Sequence, residues 1–201
     1  MGSLSHYCFL WISLFLTIVD DHSRAVWLYL LSDKTMVQQQ IREFLTMIER
    51  LFAKKVKTIR SDNGSEFLCL TRFFREHGIV HETSCVHTPQ QNGRAERKHR
   101  HILNVARALG FQAQLPIEYW GECILTAGYL INRTPSILLK SKTPFEMLYG
   151  HAPGYKHIRV FGCLAYAHNL DKGDKFASRS RRCIFLGYPY GKKGWKLYDL
   201  E

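Results

Sequence analysis

The sequence predicts an α/β protein: a mixed sheet flanked by helices over residues 1–150, then a small β module over 155–201. Up to Gly150, short runs rich in β-branched and aromatic residues alternate with longer segments whose apolar residues recur at helical spacing. After Gly150 that periodicity stops, and three β-like runs follow the connection His151-Ala152-Pro153-Gly154. The chain has 201 residues, 46% of them apolar, which suits one ordinary core with a small appendage rather than a disordered tail.

The elements follow in order. Tyr7–Ile12 and Leu14–Val19 form an apolar run interrupted at Ser13, read as one or two buried strands. Asp20-Asp21-His22-Ser23 is a turn, and Ala25–Leu31 is the returning strand. Ser32 or Asp33 is expected to cap the next helix. Its core stripe takes Val37, Ile41, Phe44, Leu45, Ile48, Leu51 and Phe52. Val56-Lys57-Thr58-Ile59 reads as a strand that ends before Asp62. A short helix over Thr71–His77 stops at Gly78, and Ile79–Thr83 is another strand. A long basic helix runs from about Asn92 to Leu109. Pro116 opens an amphipathic segment that reaches Arg133, and Thr143-Pro144-Phe145-Glu146 is a capping box. The β-like runs of the appendage are Ile158–His168, Arg182–Tyr188 and Gly194–Leu200.

Charge narrows the function classes. Twenty-eight Lys and Arg against 17 Asp and Glu leave a formal charge of +11. Such a balance favours a polyanionic partner, because basic groups release counterions condensed on nucleic acid; a membrane surface or solubility alone would accept it too. The six cysteines are dispersed without C-x-x-C spacing and form no zinc pattern with the ten histidines, which favours buried free thiols in a reducing compartment. The N-terminal apolar run has no preceding Lys or Arg and no small-residue cleavage site, and it is short for a membrane span, so neither secretion nor membrane insertion is expected.

Two stretches carry the chemistry. Asp62 stands where a strand stops and the Asn63-Gly64 turn begins; Glu96 stands in the first turn of the basic helix. Each has an ordinary structural explanation, as a turn residue and as an acid near a helix N-terminus. As a pair from separate elements, they can supply hard oxygen ligands to a divalent ion. The polar loop Thr88–Gly93 leads into the helix, where Gln90 and Gln91 suit base edges or phosphates and Asn92-Gly93 suits mobility. Arg94, Arg97, Lys98 and Arg100 suit phosphate contacts, though a solvated helix face explains them equally well. Arg179, Arg181, Arg182, Lys192, Lys193 and Lys196 would extend the basic surface. Glu66 reads as an exposed spectator.

The motifs Ser61-Asp62-Asn63-Gly64-Ser65-Glu66-Phe67 and His87-Thr88-Pro89-Gln90-Gln91-Asn92-Gly93-Arg94-Ala95-Glu96-Arg97 resemble the integrase of copia-type LTR retrotransposons, within a retroviral-integrase-like family. The likeness extends to Val19–Arg24, Tyr129–Pro135 and Val160–Cys163. It implies a ribonuclease-H-like core followed by an SH3-like module. It also implies polynucleotidyl transfer, with Mg²⁺ or Mn²⁺ held by three acids, and DNA as partner. Homo-oligomers and a nuclear location go with it. The second acid maps onto Asp62 and the third onto Glu96. The first is expected on the opening strand, yet no Asp or Glu precedes Asp20, and Asp20 and Asp21 match a different motif. The resemblance thus implies an integrase core with impaired chemistry. The competing readings are a non-catalytic nucleic-acid-binding or assembly remnant and, more remotely, a nuclease using the same metal chemistry.

Overall fold

The computed structural model describes residues 12–84, 93–169 and 178–200. Its strands and helices alternate as β1 (Leu14–Val19), β2 (Val26–Leu31), α1 (Met36–Phe52), β3 (Thr58–Ser61), α2 (Ser65–Leu68), α3 (Thr71–Glu76) and β4 (Val80–Thr83). The helices α4 (Gly93–Ala113), α5 (Trp120–Ile131) and α6 (Pro144–Tyr149) follow, and then β5 (Leu164–His168), β6 (Ser180–Gly187) and β7 (Lys196–Asp199). The chain divides into two compact units. Among the described residues, one unit takes those up to Ile18 together with Tyr29–Arg100; the other takes Val19–Leu28 and the residues from His101 onward.

In the unit containing Tyr29–Arg100, the core gathers Leu16, Leu31, Val37, Ile41, Leu70, Phe74 and Ile79. Three of these lie on β1, β2 and the approach to β4; Val37 and Ile41 come from the inward stripe of α1. Phe74 is fully buried on a two-turn helix whose own propensity is small, so packing rather than local preference holds α3 in place. β3 and β4 pair in parallel, with Thr58 opposite Val80 and Ser61 opposite Thr83. The reach between them is spanned by α2 and α3, as a parallel crossover requires.

The other unit is organised by α5, which is buried on most sides: Gly121, Glu122, Cys123, Ile124, Thr126, Ala127, Gly128 and Ile131. Such a helix needs neighbours all round. β6 packs on it, and β5-β6-β7 form one antiparallel sheet with Ala165 opposite Cys183 and Ile184 opposite Tyr198. Gly187 has φ +122 and passes so close to α5 that a Cβ would meet Thr126 Oγ1 at 2.3 Å. Gly162, with φ +78, similarly leaves no room for a Cβ beside Ala113. Asn132, just past α5, clasps β2: its Oδ1 accepts from Val26 N–H and its Nδ2 donates to Val26 O, each at 2.8 Å.

Several expectations shift. Neither Ser32 nor Asp33 caps α1; Thr35 occupies that position without a side-chain cap, and Asp33 Oδ1 instead accepts Thr35 N–H at 2.7 Å in the preceding turn. Leu51 is 58% exposed because α1 ends there, beyond the core it serves. The β3 strand begins two residues later than its apolar run, since its ladder to β4 starts at Thr58. The first β run of the appendage pairs only from Leu164. Cys123 and Cys183 are buried free thiols as expected, but the free Cys69 is exposed; Cys8 and Cys85 lie outside the described residues. The capping box forms its Thr half: Glu146 N–H donates to Thr143 Oγ1 at 2.9 Å.

Candidate nucleic-acid and metal site

Asp62 follows the last residue of β3. Its Oδ1 accepts Gly64 N–H at 3.1 Å, the bond an aspartate makes to its own turn, and the side chain remains exposed. The turn is braced from β4: Asn63 Nδ2 donates to Ser84 O at 2.8 Å and Ser84 N–H to Ser61 O at 3.2 Å. Ser61 Oγ sits 2.9 Å from His81 Nε2, and burial pushes the His81 imidazole below its usual pKa. Glu66 borders the same turn. A Cβ on Gly64 would lie 2.8 Å from Glu66 Oε2 and 3.0 Å from Asp62 Oδ1, so glycine lets two carboxylates flank one backbone position. Glu66, expected to be exposed, is instead half-buried against this turn; Lys34 Nζ stands 3.9 Å from it, a long contact of small energetic weight because the lysine itself is exposed.

Glu96 is exposed in the first turn of α4, where the unpaired N–H groups of a helix start favour an anion. It belongs to the same compact unit as Asp62. What holds this turn of α4 was not foreseen from the sequence. One turn on, His99 stacks on Phe15 of β1 with ring centroids 4.4 Å apart and planes inclined by 4°, and its Nδ1 lies 3.1 Å from Thr17 Oγ1. Burial lowers the His99 pKa as well, because a charged ring would lose its hydration in this stack. His99 lies between Lys98 and Arg100, with His101 two residues on, and has no signal in sequence that would distinguish it from the polar residues around it.

Arg94, Arg97 and Arg100 are exposed on α4, with Lys98 half-buried; Arg94 and Lys98 have interactions of their own within the protein. Gln90, Gln91 and Asn92 lie outside the described residues. The proposed basic extension is narrower than its sequence suggests. Lys196 points inward and pairs with the buried Glu122, and Arg181 lies 3.4 Å from Asp199. Asp20 is committed to its turn, accepting from Ser23 N–H at 2.7 Å and Ser23 Oγ at 2.6 Å. Among the described residues, no three His, Cys, Asp or Glu side chains gather in a way that could hold a metal ion. Asp62 and Glu96 offer hard oxygen donors that suit a divalent cation, but two carboxylates fill only part of its coordination shell.

A family model described as "Integrase core domain" matches residues 7–89, and one described as "Retroviral polymerase SH3-like domain" matches residues 163–201. The retrovirus-related Pol polyprotein from transposon RE1 of Arabidopsis thaliana is 42% identical over 191 residues, covering 93% of this chain. The chain spans 13% of that relative's length. The fold is similar to that of the catalytic core domain of BIV integrase, with a TM-score of 0.50 at 22% identity over 68% of this chain and 85% of that one. It also matches a chain of the simian T-cell lymphotropic virus intasome in complex with PP2A regulatory subunit B56 gamma, with a TM-score of 0.55 at 16% identity over 92% of this chain and 69% of that one. No helix among the described residues is long and apolar enough to cross a membrane.

Proposed function

Because the chain belongs to the integrase-core family of retrovirus-related Pol polyproteins, we propose that it is the core of an integrase-type polynucleotidyl transferase that binds DNA and whose joining chemistry is impaired. What supports this reading is Asp62, just past β3 and within the residues 7–89 that the integrase-core model matches, together with Glu96 in the first turn of α4 of the same compact unit. In this reading Asp62 and Glu96 hold Mg²⁺ or Mn²⁺, which when bound offsets the charge that develops on the transferring phosphoryl group. The chain's own residues do the rest. The Asn63–Ser84 bond and the β3–β4 ladder fix where the Asp62 carboxylate stands, and the His99 clamp on β1 fixes the turn of α4 that bears Glu96. Gln90, Gln91, Asn92, Arg94, Arg97, Lys98 and Arg100 contact the DNA, chiefly its phosphates. Residues 1–150 form the ribonuclease-H-like core and 155–201 the SH3-like module. The protein acts as a homo-oligomer in the nucleus.

The reading of impairment rests on residues 1–19 carrying no Asp or Glu: with Asp62 and Glu96 alone, the metal would be held weakly and the register of a second ion lost. A strand-transfer assay on purified protein with Mg²⁺ and with Mn²⁺ tests it. The expected result is DNA binding that weakens with salt, with feeble joining that needs the metal and disappears on Asp62→Asn. Robust joining that Asp62→Asn abolishes would refute impairment while upholding the site. Salt-dependent binding with no metal-dependent turnover at all would select the second reading, a nucleic-acid-binding or assembly remnant of such an enzyme. The basic helix face and the formal charge of +11 favour that alternative.

A further inference from the structure

Arg133 belongs to a motif that the proposed chemistry leaves without a role. Its guanidinium lies 3.5 Å from the ring centroid of Tyr129 and 4.9 Å from that of Phe145. Nη1 donates to Tyr129 O at 3.2 Å, while Nε is sealed from solvent without a hydrogen-bond partner. The side chains that act on its charge are tyrosines: Tyr129, Tyr149, Tyr188 and Tyr155. Burial lowers its pKa, but a guanidinium remains cationic at any working pH. Phenols and ring faces attract a cation without neutralising it. Among the described residues, then, Arg133 is a half-buried positive charge with no carboxylate to balance it.

The rim of this cage is aromatic and exposed. Tyr190 is 79% exposed and lies two residues past Tyr188, whose ring stacks on Tyr129 with centroids 3.8 Å apart. Lys192 and Lys193 are exposed on the same β6–β7 connection as Tyr190. Tyr155 Oη donates to Arg133 O at 3.0 Å, which ties the rim to the end of α5. Ring faces in water beside uncompensated cations are the features that hold a nucleic-acid strand: guanidinium takes phosphate, and aromatic faces take bases. A duplex offers the phosphates but keeps its base faces stacked away; an unpaired stretch offers both.

We infer that the Arg133 cage, with Tyr190 and the Lys192-Lys193 turn, is a subsite for an unpaired stretch of a nucleic-acid strand, with a phosphate at Arg133 and a base against Tyr190. The inference rests on the proposal that the chain binds nucleic acid, and it adds the strand form that it selects.

Fluorescence anisotropy of the full chain with three DNAs of one sequence tests it: a single strand, a blunt duplex and a duplex with a single-stranded overhang. The single strand and the overhang should bind more tightly than the blunt duplex. Tyr190→Ala and Arg133→Met should each weaken single-strand binding about tenfold and leave the blunt duplex within about twofold. Arg133→Met should also flatten the salt dependence by about one phosphate contact. Because Tyr190 is so exposed, its variant keeps the test decisive should Arg133→Met fail to fold. Equal losses on single strand and blunt duplex, or no loss on either, overturn the subsite. If the wild-type chain binds none of the three DNAs, the nucleic-acid proposal falls first and takes the subsite with it.

Discussion

Replacing Lys196 by Met should destabilise the unit built around α5 by about 2–4 kcal/mol. Glu122 lies on the buried side of α5 with its side chain 5% exposed, and Lys196 of β7 reaches it with a side chain 20% exposed. Removing one partner of a fully buried ion pair costs about 3–5 kcal/mol, because the remaining charge keeps its desolvation penalty and loses its compensation. The lower range applies here because the opening that leaves Lys196 partly wet lets water reach Glu122 once the amine is gone. With a urea m-value of about 2 kcal/mol/M, the unfolding midpoint should fall by about 1–2 M. Circular dichroism and tryptophan fluorescence, read together, would show whether the β5-β6-β7 sheet and α5 unfold as one. The double variant Glu122→Leu with Lys196→Met should recover most of the loss, since neither charge is then buried. A Lys196→Met midpoint within about 0.3 M of wild type would refute the reasoning: the sheet would then not depend on this pair for its seat on α5.

Gly187→Ala should cost about 2 kcal/mol or more, because it combines a φ of +122 with a Cβ 2.3 Å from Thr126 Oγ1. Adding Thr126→Ala should restore only the part due to the clash, as thermal unfolding of both variants would reveal. Asn132→Ala leaves the N–H and C=O of Val26 without their 2.8 Å partners and should cost about 1–3 kcal/mol, with faster hydrogen exchange at the Val26 amide as its local mark. His81 and His99 both have folded-state pKa values depressed below 6.5 by burial. The unfolded chain therefore binds more protons just below that pH, so stability is full above about pH 6.5 and declines as acid carries the two rings through their lowered values. His99→Gln should flatten that decline, and a denaturation series from pH 7 to 5 that shows no slope would count against the buried-ring account.

Much of the architecture was legible because it depends on neighbours in sequence. The turn at Asp20–Ser23, the stop at Gly78, the Thr143-Pro144 helix start and the inward residues Val37, Ile41 and Phe44 follow from local sterics and periodicity. The misreadings arise where actual contacts, near or far in sequence, override what spacing alone suggests. Leu51 looks like part of a stripe but has no core opposite it. Asp33 looks like a helix cap but is bonded within the previous turn. Lys196 looks like part of a DNA-facing cluster but is drawn inward by Glu122. The short helix α2 at Ser65–Leu68 was hidden behind the stronger turn signal of Asn63-Gly64.

The candidate site divides along the same line. Residue chemistry alone marked Asp62 and Glu96 as oxygen donors on a strand end and a helix start, and the charge balance marked a polyanion as partner, because these properties belong to side chains wherever they fall. Which histidine clamps α4 to β1, which glycine admits α5 against β6, and which arginine stands in a ring of tyrosines were decided by chain folding. Those properties come from desolvation and close approach between residues far apart in the chain, and neither exists until the fold brings them together.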